Sequence, residues 1–162
     1  MIVQLTEFSS SQKTAMKLDQ LSHELRRARS MVINKLLRHL GAVRFDLMLP
    51  ETHALPYLIK DKEEIRGIVY GRYRSQNGFH IGRGALVVTD NRILLIDKKP
   101  FFEKVDELTF KAISGVSYSR AGIAGTVTLH TKVGDISVRT FNHKCAESFV
   151  KAVDATLFKK AH

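Results

Sequence analysis

Gly84-Ala85-Leu86-Val87-Val88-Thr89-Asp90-Asn91-Arg92-Ile93-Leu94-Leu95-Ile96-Asp97 reads as two apolar strands joined by a polar turn. Asp90 and Asn91 tolerate turn backbone and hydrogen-bond to it, so Thr89–Arg92 reverses the chain. The stretch predicts a hairpin with strands over 85–89 and 92–96. It carries a fold and no reaction.

Working outward, the apolar period from Ile65 is two, which places a first strand ahead of the hairpin. Ile65, Val69 and Tyr73 are expected on one side, with Arg66, Ile68, Tyr70, Arg72 and Arg74 on the other. Asn77-Gly78 is a turn dipeptide. Val105–Phe110 and Val116–Ser119 are shorter strand candidates. Thr126–Thr131 and Ile136–Phe141 alternate clearly, setting Val127 and Leu129 against Ile136 and Val138. Gly134 supplies the positive φ that their turn needs. A terminal helix follows, with Asn142 as N-cap and Ala146, Phe149, Val150, Val153 and Leu157 on one face. Lys159 and Lys160 suit its carbonyl end. Consecutive hairpins closed by a one-faced helix fit a small antiparallel barrel with a plugged mouth.

Upstream, Ser9 and Gln12 have capping-box spacing. Leu18, Leu21, Leu25, Ala28, Val32, Leu36 and Leu40 then recur in steps of three or four, up to a stop at Gly41. The pattern predicts a helix of about 30 residues, on the order of 45 Å long. Its stripe must be buried against its own barrel or against a second copy as a coiled coil. Leu18, Leu21, Leu25, Val32 and Leu36 are the candidates for self-association into a homo-oligomer. Arg26, Arg27 and Arg29 read as a solvated face. Ala42–Pro56 reads as a connector punctuated by Pro50 and Pro56, with a turn of helix near Tyr57–Glu64. The expected organisation is a helical N-terminal extension over residues 1–50 and a barrel domain over 51–162.

These elements, in this order, resemble the bacterial PH-like domains of the YokE type, relatives of pleckstrin homology and GRAM domains. Five features carry the resemblance, over about residues 55–160. They are Gly71 with Tyr73, the 84–97 hairpin, the Val105–Phe110 strand leading to Ile113, the turn Ala121-Gly122-Ile123-Ala124-Gly125, and the helix bearing Ala146, Phe149 and Val150. The resemblance implies an α+β, mainly β fold: a PH-like antiparallel barrel of about seven strands in two near-orthogonal sheets, capped by the C-terminal α-helix. It also implies a ligand site at the loop between the first two strands, here about Ser75–Gly82.

Composition narrows the function. Hydrophobic residues at 44% and charged residues at 26% describe a globular chain rather than a disordered one. No apolar run approaches the roughly 20 residues that span a bilayer, and Met1–Glu7 lacks the features of a secretory signal. A cytoplasmic location is expected, with the inner face of the membrane as a place of peripheral attachment. Cys145 is the lone cysteine and forms no internal disulfide. The net charge is +10, with +4 in residues 1–50 and +6 in residues 51–162. A basic surface attracts polyanions, and simple solubility is the alternative reading.

No motif organises a reaction. The histidines lack zinc spacing, one cysteine builds no thiolate site, and Gly-x-Ser-x-Gly, P-loop and Gly-x-Gly-x-x-Gly patterns are absent. His130 reads as a surface or satisfied barrel residue. No catalytic residue, metal or cofactor is expected, and the chain reads as non-enzymatic. Binding is better supported, because Arg66–Arg83 contains Arg66, Arg72, Arg74, Arg83 and His80 with no acidic residue. An arginine fork matches phosphate oxygens. Phe79 at the loop tip suits a lipid interface, beside cations that gain roughly 1 kcal/mol each near an anionic leaflet. A protein partner or anionic lipid head groups are the first expectation for the ligand. Nucleic acid, held by the same surface, is the alternative; Gly122-Ile123-Ala124-Gly125 after Arg120 reads as a tight turn rather than an RNA-binding loop.

Overall fold

The quoted stretch forms its hairpin. In the computed structural model, which describes residues 2–76 and 81–161 with side chains from residue 10 onward, β2 (Ile81–Thr89) runs antiparallel to β3 (Ile93–Lys99). Ala85 lies opposite Ile96, and Val88 opposite Ile93. The Thr89 hydroxyl accepts the backbone N–H groups of Asn91 and Arg92, closing the turn. Around this pair stand β1 (Ile65–Ser75), β4 (Phe102–Leu108), β5 (Ile113–Ala121), β6 (Ala124–Thr131) and β7 (Ile136–Thr140). All pairings are antiparallel, in the order β4-β3-β2-β1-β7-β6-β5. Val127 faces Val138 and Leu129 faces Ile136, as alternation predicts, and Gly134 has φ 125°.

The sheet curls around one core. Val69, Tyr73, Leu86, Leu95, Val127, Leu129 and Val138 meet there. The helix that plugs it, called αC here for its place at the end of the chain, covers His143–Ala161 and inserts Ala146, Phe149 and Val153. Asn142 Oδ1 accepts the N–H of Cys145 at 3.1 Å, the predicted cap. Gly67 lets this helix approach β1, since a Cβ there would lie 2.9 Å from Cα of Phe149.

The N-terminal half departs from expectation. Its long helix αN runs Ile2–His39, so it starts ahead of Ser9 and the capping-box start is not used. The supposed connector holds two short helices, αS (Arg44–Leu47) and αT (Pro50–Leu58). Pro50 opens the second of them, where its missing N–H has no helical partner to lose. These helices lie on the outer face of β1–β3. Ile33, Leu37, Leu47 and Leu55 pack there on Ile68, Tyr70, Ala85, Val87, Leu94 and Ile96. The middle strands are therefore buried on both faces, which is why β2 and β3 read as continuous apolar runs. Ile68 and Tyr70 are core residues, and Ile65 joins them because the register shifts between Ile65 and Gly67.

Candidate binding site

Alternation along β1 sends Val69 and Tyr73 inward and Ile68 and Tyr70 outward. Arg72 and Arg74 continue the outward series. The helices cover this outer face only as far as Tyr70, and beyond it the arginines are exposed. Arg83 extends the outward series of Ala85 and Val87 on β2, and Arg139 follows inward Val138 on β7. Strand register then sets Arg72 opposite Arg83 on one side and opposite Arg139 on the other. Three guanidinium-bearing positions form one row across β2, β1 and β7. Among the described residues, no ion pair or hydrogen bond engages Arg72, Arg74, Arg83 or Arg139.

The row lies in a groove of about 750 Å³. Phe45 of αS, Leu49 just ahead of αT and Phe141 just ahead of αC line it, and Lys98 and Lys99 stand at the β3 end. Its two acidic side chains are buried and already engaged. Asp46 accepts the N–H of Val43 at 2.9 Å and the Asn142 amide at 3.1 Å. Glu51 accepts the N–H of Lys98 at 3.2 Å. What the groove offers a ligand is therefore cationic charge beside exposed aromatic edges.

An apolar rim adjoins it. β1, β3 and β6 run in one direction, so the connections β1–β2, β3–β4 and β6–β7 share one end of the barrel. Gln76 N–H bonds the Asp135 carbonyl at 3.1 Å, joining two of them. Ile81, Phe101 and Val133 are all exposed at that end. Just inside, the Tyr73 hydroxyl donates to buried Asp97 at 2.6 Å, and Lys99 Nζ stands 3.0 Å from the other carboxylate oxygen. Burial, with the Asp97 carboxylate beside it, raises the Tyr73 phenol above its ordinary range, so it stays a donor.

The sequence-derived candidates are divided by this geometry. Arg72, Arg74 and Arg83 converge. Arg66 pairs with Glu64 at 3.1 Å and lines a separate shallow groove with Lys151, Lys159 and Lys160 of αC. Phe79 and His80 lie outside the described residues, as does the Asn77-Gly78 turn. Lys98, Lys99 and Arg139 escaped notice because each is distant in sequence from the first loop. The signal for Arg139 was its outward place after Val138.

A second cluster mimics chemistry. Ser117 Oγ lies 3.1 Å from His130 Nε2, and His130 Nδ1 lies 3.1 Å from Asp135 Oδ2. This contact order matches a Ser-His-Asp relay. The cluster lines neither groove, and acyl transfer would also require oxyanion donors in a closed pocket beside the serine. It joins β5, β6 and the β6–β7 turn. Among the described residues, no group of His, Cys, Asp and Glu is arranged to hold a metal ion.

A family model, "Bacterial PH domain", matches residues 59–155. The chain belongs to the bacterial PH domain family. Pleckstrin-homology folds commonly bind proteins or lipid head groups, and the family is generally without enzymatic activity. The solved Vps36 N-terminal PH domain is 17% identical, covering 64% of this chain and 85% of that chain with a TM-score of 0.49. A DUF1696 family protein with a pleckstrin-homology domain from Shewanella loihica is 16% identical, covering 64% and 86% with a TM-score of 0.46. The pleckstrin homology domain from Shewanella amazonensis is 18% identical, covering 64% and 92% with a TM-score of 0.44. No curated protein matches the chain. No helix of this bacterial PH domain protein, among the described residues, is long and apolar enough to cross a membrane.

Proposed function

We propose that this protein is a non-enzymatic PH-like binding module that attaches to an anionic membrane surface through the basic end of its barrel. The helical residues 1–50 act in this reading as an extension that builds one wall of the site. One observation carries the reading: Arg72 sits between Arg83 and Arg139, and among the described residues no carboxylate pairs with any of the three. Like charges directly opposite on neighbouring strands destabilise a sheet, so an external anion offsets a cost the fold otherwise bears alone. Phosphate groups suit the row because each guanidinium donates two parallel hydrogen bonds. Exposed Ile81, Phe101 and Val133 would enter the interfacial region while Arg74 and Lys98 meet head groups.

Nucleic acid would use the same cations and leave the rim idle. Paired salt titrations separate the two, one with phosphatidylglycerol vesicles and one with duplex and single-stranded DNA. The expected result is vesicle binding that weakens on Phe101→Ala with Ile81→Ala as well as on loss of the arginines. Steeply salt-dependent DNA binding, indifferent to those two apolar positions, would instead establish the nucleic-acid reading. Absence of both leaves an acidic protein partner for the same row.

A further inference from the structure

Among the described residues, the long helix αN is held by its own body only at its C-terminal end. Ile33 and Leu37 are buried there, with Leu36 and Leu40 packed beside them. Arg29 reaches Asp61 at 3.3 Å and also the Ile59 carbonyl, and Arg26 lies 5.9 Å from the Tyr57 ring centre. From residue 10 to residue 28, only Ser22 is even partly buried. Leu18, Leu21, Leu25 and Val32 are between 56% and 70% exposed. A helix standing free in water, with four large apolar side chains along one stripe, is marginal on its own.

We propose that a second copy of this chain covers the stripe, pairing αN with αN as a parallel two-stranded coiled coil. Leu18, Leu21, Leu25, Ala28 and Val32 advance by three, four, three and four residues, which is the alternation of a seam. The docked side chains Ile33 and Leu37 lie about 100° or more around the helix from the Val32 position, so the seam stays free while the barrel is held. In a parallel pair every layer meets its own kind: leucine on leucine at Leu18, Leu21 and Leu25, alanine on alanine at Ala28, valine on valine at Val32. Glu24 precedes one seam position and Arg29 follows the next, so each Glu24 stands beside the Arg29 of the other copy, whose side chain is 32% exposed and has donors beyond those given to Asp61 and the Ile59 carbonyl. An antiparallel pairing that stacks Leu21 on Leu25 brings the two Glu24 side chains together instead. Charge thus selects the parallel arrangement, and its two-fold symmetry closes the assembly at two chains. This partner is independent of the anion that the arginine row takes.

Sedimentation equilibrium of the full chain over a concentration series should return twice the chain mass. Leu21→Glu with Leu25→Glu should weaken the dimer by at least about a hundredfold, because each change buries a charge in place of a leucine. Both positions are exposed in the single chain, so the thermal unfolding of the barrel should be unchanged. Leu21→Cys should give a disulfide-linked dimer on oxidation, since like residues meet in parallel register; buried Cys145 takes no part. A wild-type chain that stays monomeric throughout overturns the proposal. A dimer that survives the double glutamate variant overturns the seam, and a dimer in which Leu21→Cys fails to cross-link overturns its orientation.

Discussion

Glu63 receives two hydrogen bonds from Arg92, Nε at 2.8 Å and a terminal nitrogen at 3.0 Å, with its side chain sealed from solvent. The pair fastens the loop ahead of β1 to the β2–β3 turn. Thr89 donates its hydroxyl to the same carboxylate at 2.8 Å, and Arg92 also reaches the Leu58 carbonyl and Glu107. The turn that announces the fold in the sequence is thus also its clamp. Glu63→Ala is expected to lose about 1–3 kcal/mol in urea unfolding, because it leaves the Thr89 hydroxyl and two Arg92 donors without their acceptor while Glu107 still holds the guanidinium. The vesicle affinity of the folded variant should not change, since the clamp lies at the far end of the barrel from the arginine row.

The same carboxyl sets an acid limit on stability. Burial alone would raise it, yet the Arg92 guanidinium, the Lys60 N–H and the Thr89 hydroxyl outweigh burial and hold it at about 2, against an ordinary 4.5. A depressed carboxyl contributes stability above the unfolded value, and that contribution drains away as pH falls from 4.5 toward 2. On the order of 3 kcal/mol should be lost across that window. Denaturant titrations from pH 6 to pH 2 should show the loss, and Glu63→Gln should flatten this part of the profile.

Leu37 is the fully buried anchor of αN on the sheet. Leu37→Ala should lower unfolding free energy by about 2–5 kcal/mol, the range for a leucine whose cavity the surroundings only partly refill. Leu18→Ala, equally apolar but exposed, should leave the unfolding of a dilute, monomeric sample within about 0.5 kcal/mol of the native chain.

Tyr70 tests whether the groove floor recognises the ligand or only supports it. Its hydroxyl lies 2.7 Å from that of Thr52, and burial raises its phenol well above the ordinary range. Tyr70→Phe should remove about 1 kcal/mol of stability. Vesicle affinity should stay the same, measured by co-sedimentation, because the exposed cations rather than the floor face the ligand.

How much of this was legible follows from the range of each signal. The β2–β3 hairpin, the β6–β7 register and the Asn142 cap depend on neighbours in sequence, and turn residues with alternation identified them. Burial of Ile68 and Tyr70 depends on helices packed from earlier in the chain, and alternation sets the two residues on one side of the strand without telling what covers that side. Ile65 changed sides through a register shift that leaves no mark in composition. Pro50 and Pro56 read as breaks, although the first fits the opening turn of a helix and the second lies inside the same short helix. Arg72 and Arg83 were visible as one basic stretch. Arg139 joined them only because β7 closes on β1, a pairing between segments more than sixty residues apart.

The most direct test of the account compares two charge removals of equal size on phosphatidylglycerol vesicles. One variant carries Arg72→Ala, Arg83→Ala and Arg139→Ala in the row; the other carries Arg66→Ala, Lys151→Ala and Lys159→Ala in the groove beside αC. At roughly 1 kcal/mol per cation near an anionic leaflet, the first should weaken binding about a hundredfold and the second only a few-fold. Equal losses from both would show that net charge alone attracts the protein, and a first variant that binds like the native chain would contradict the arginine row as the site.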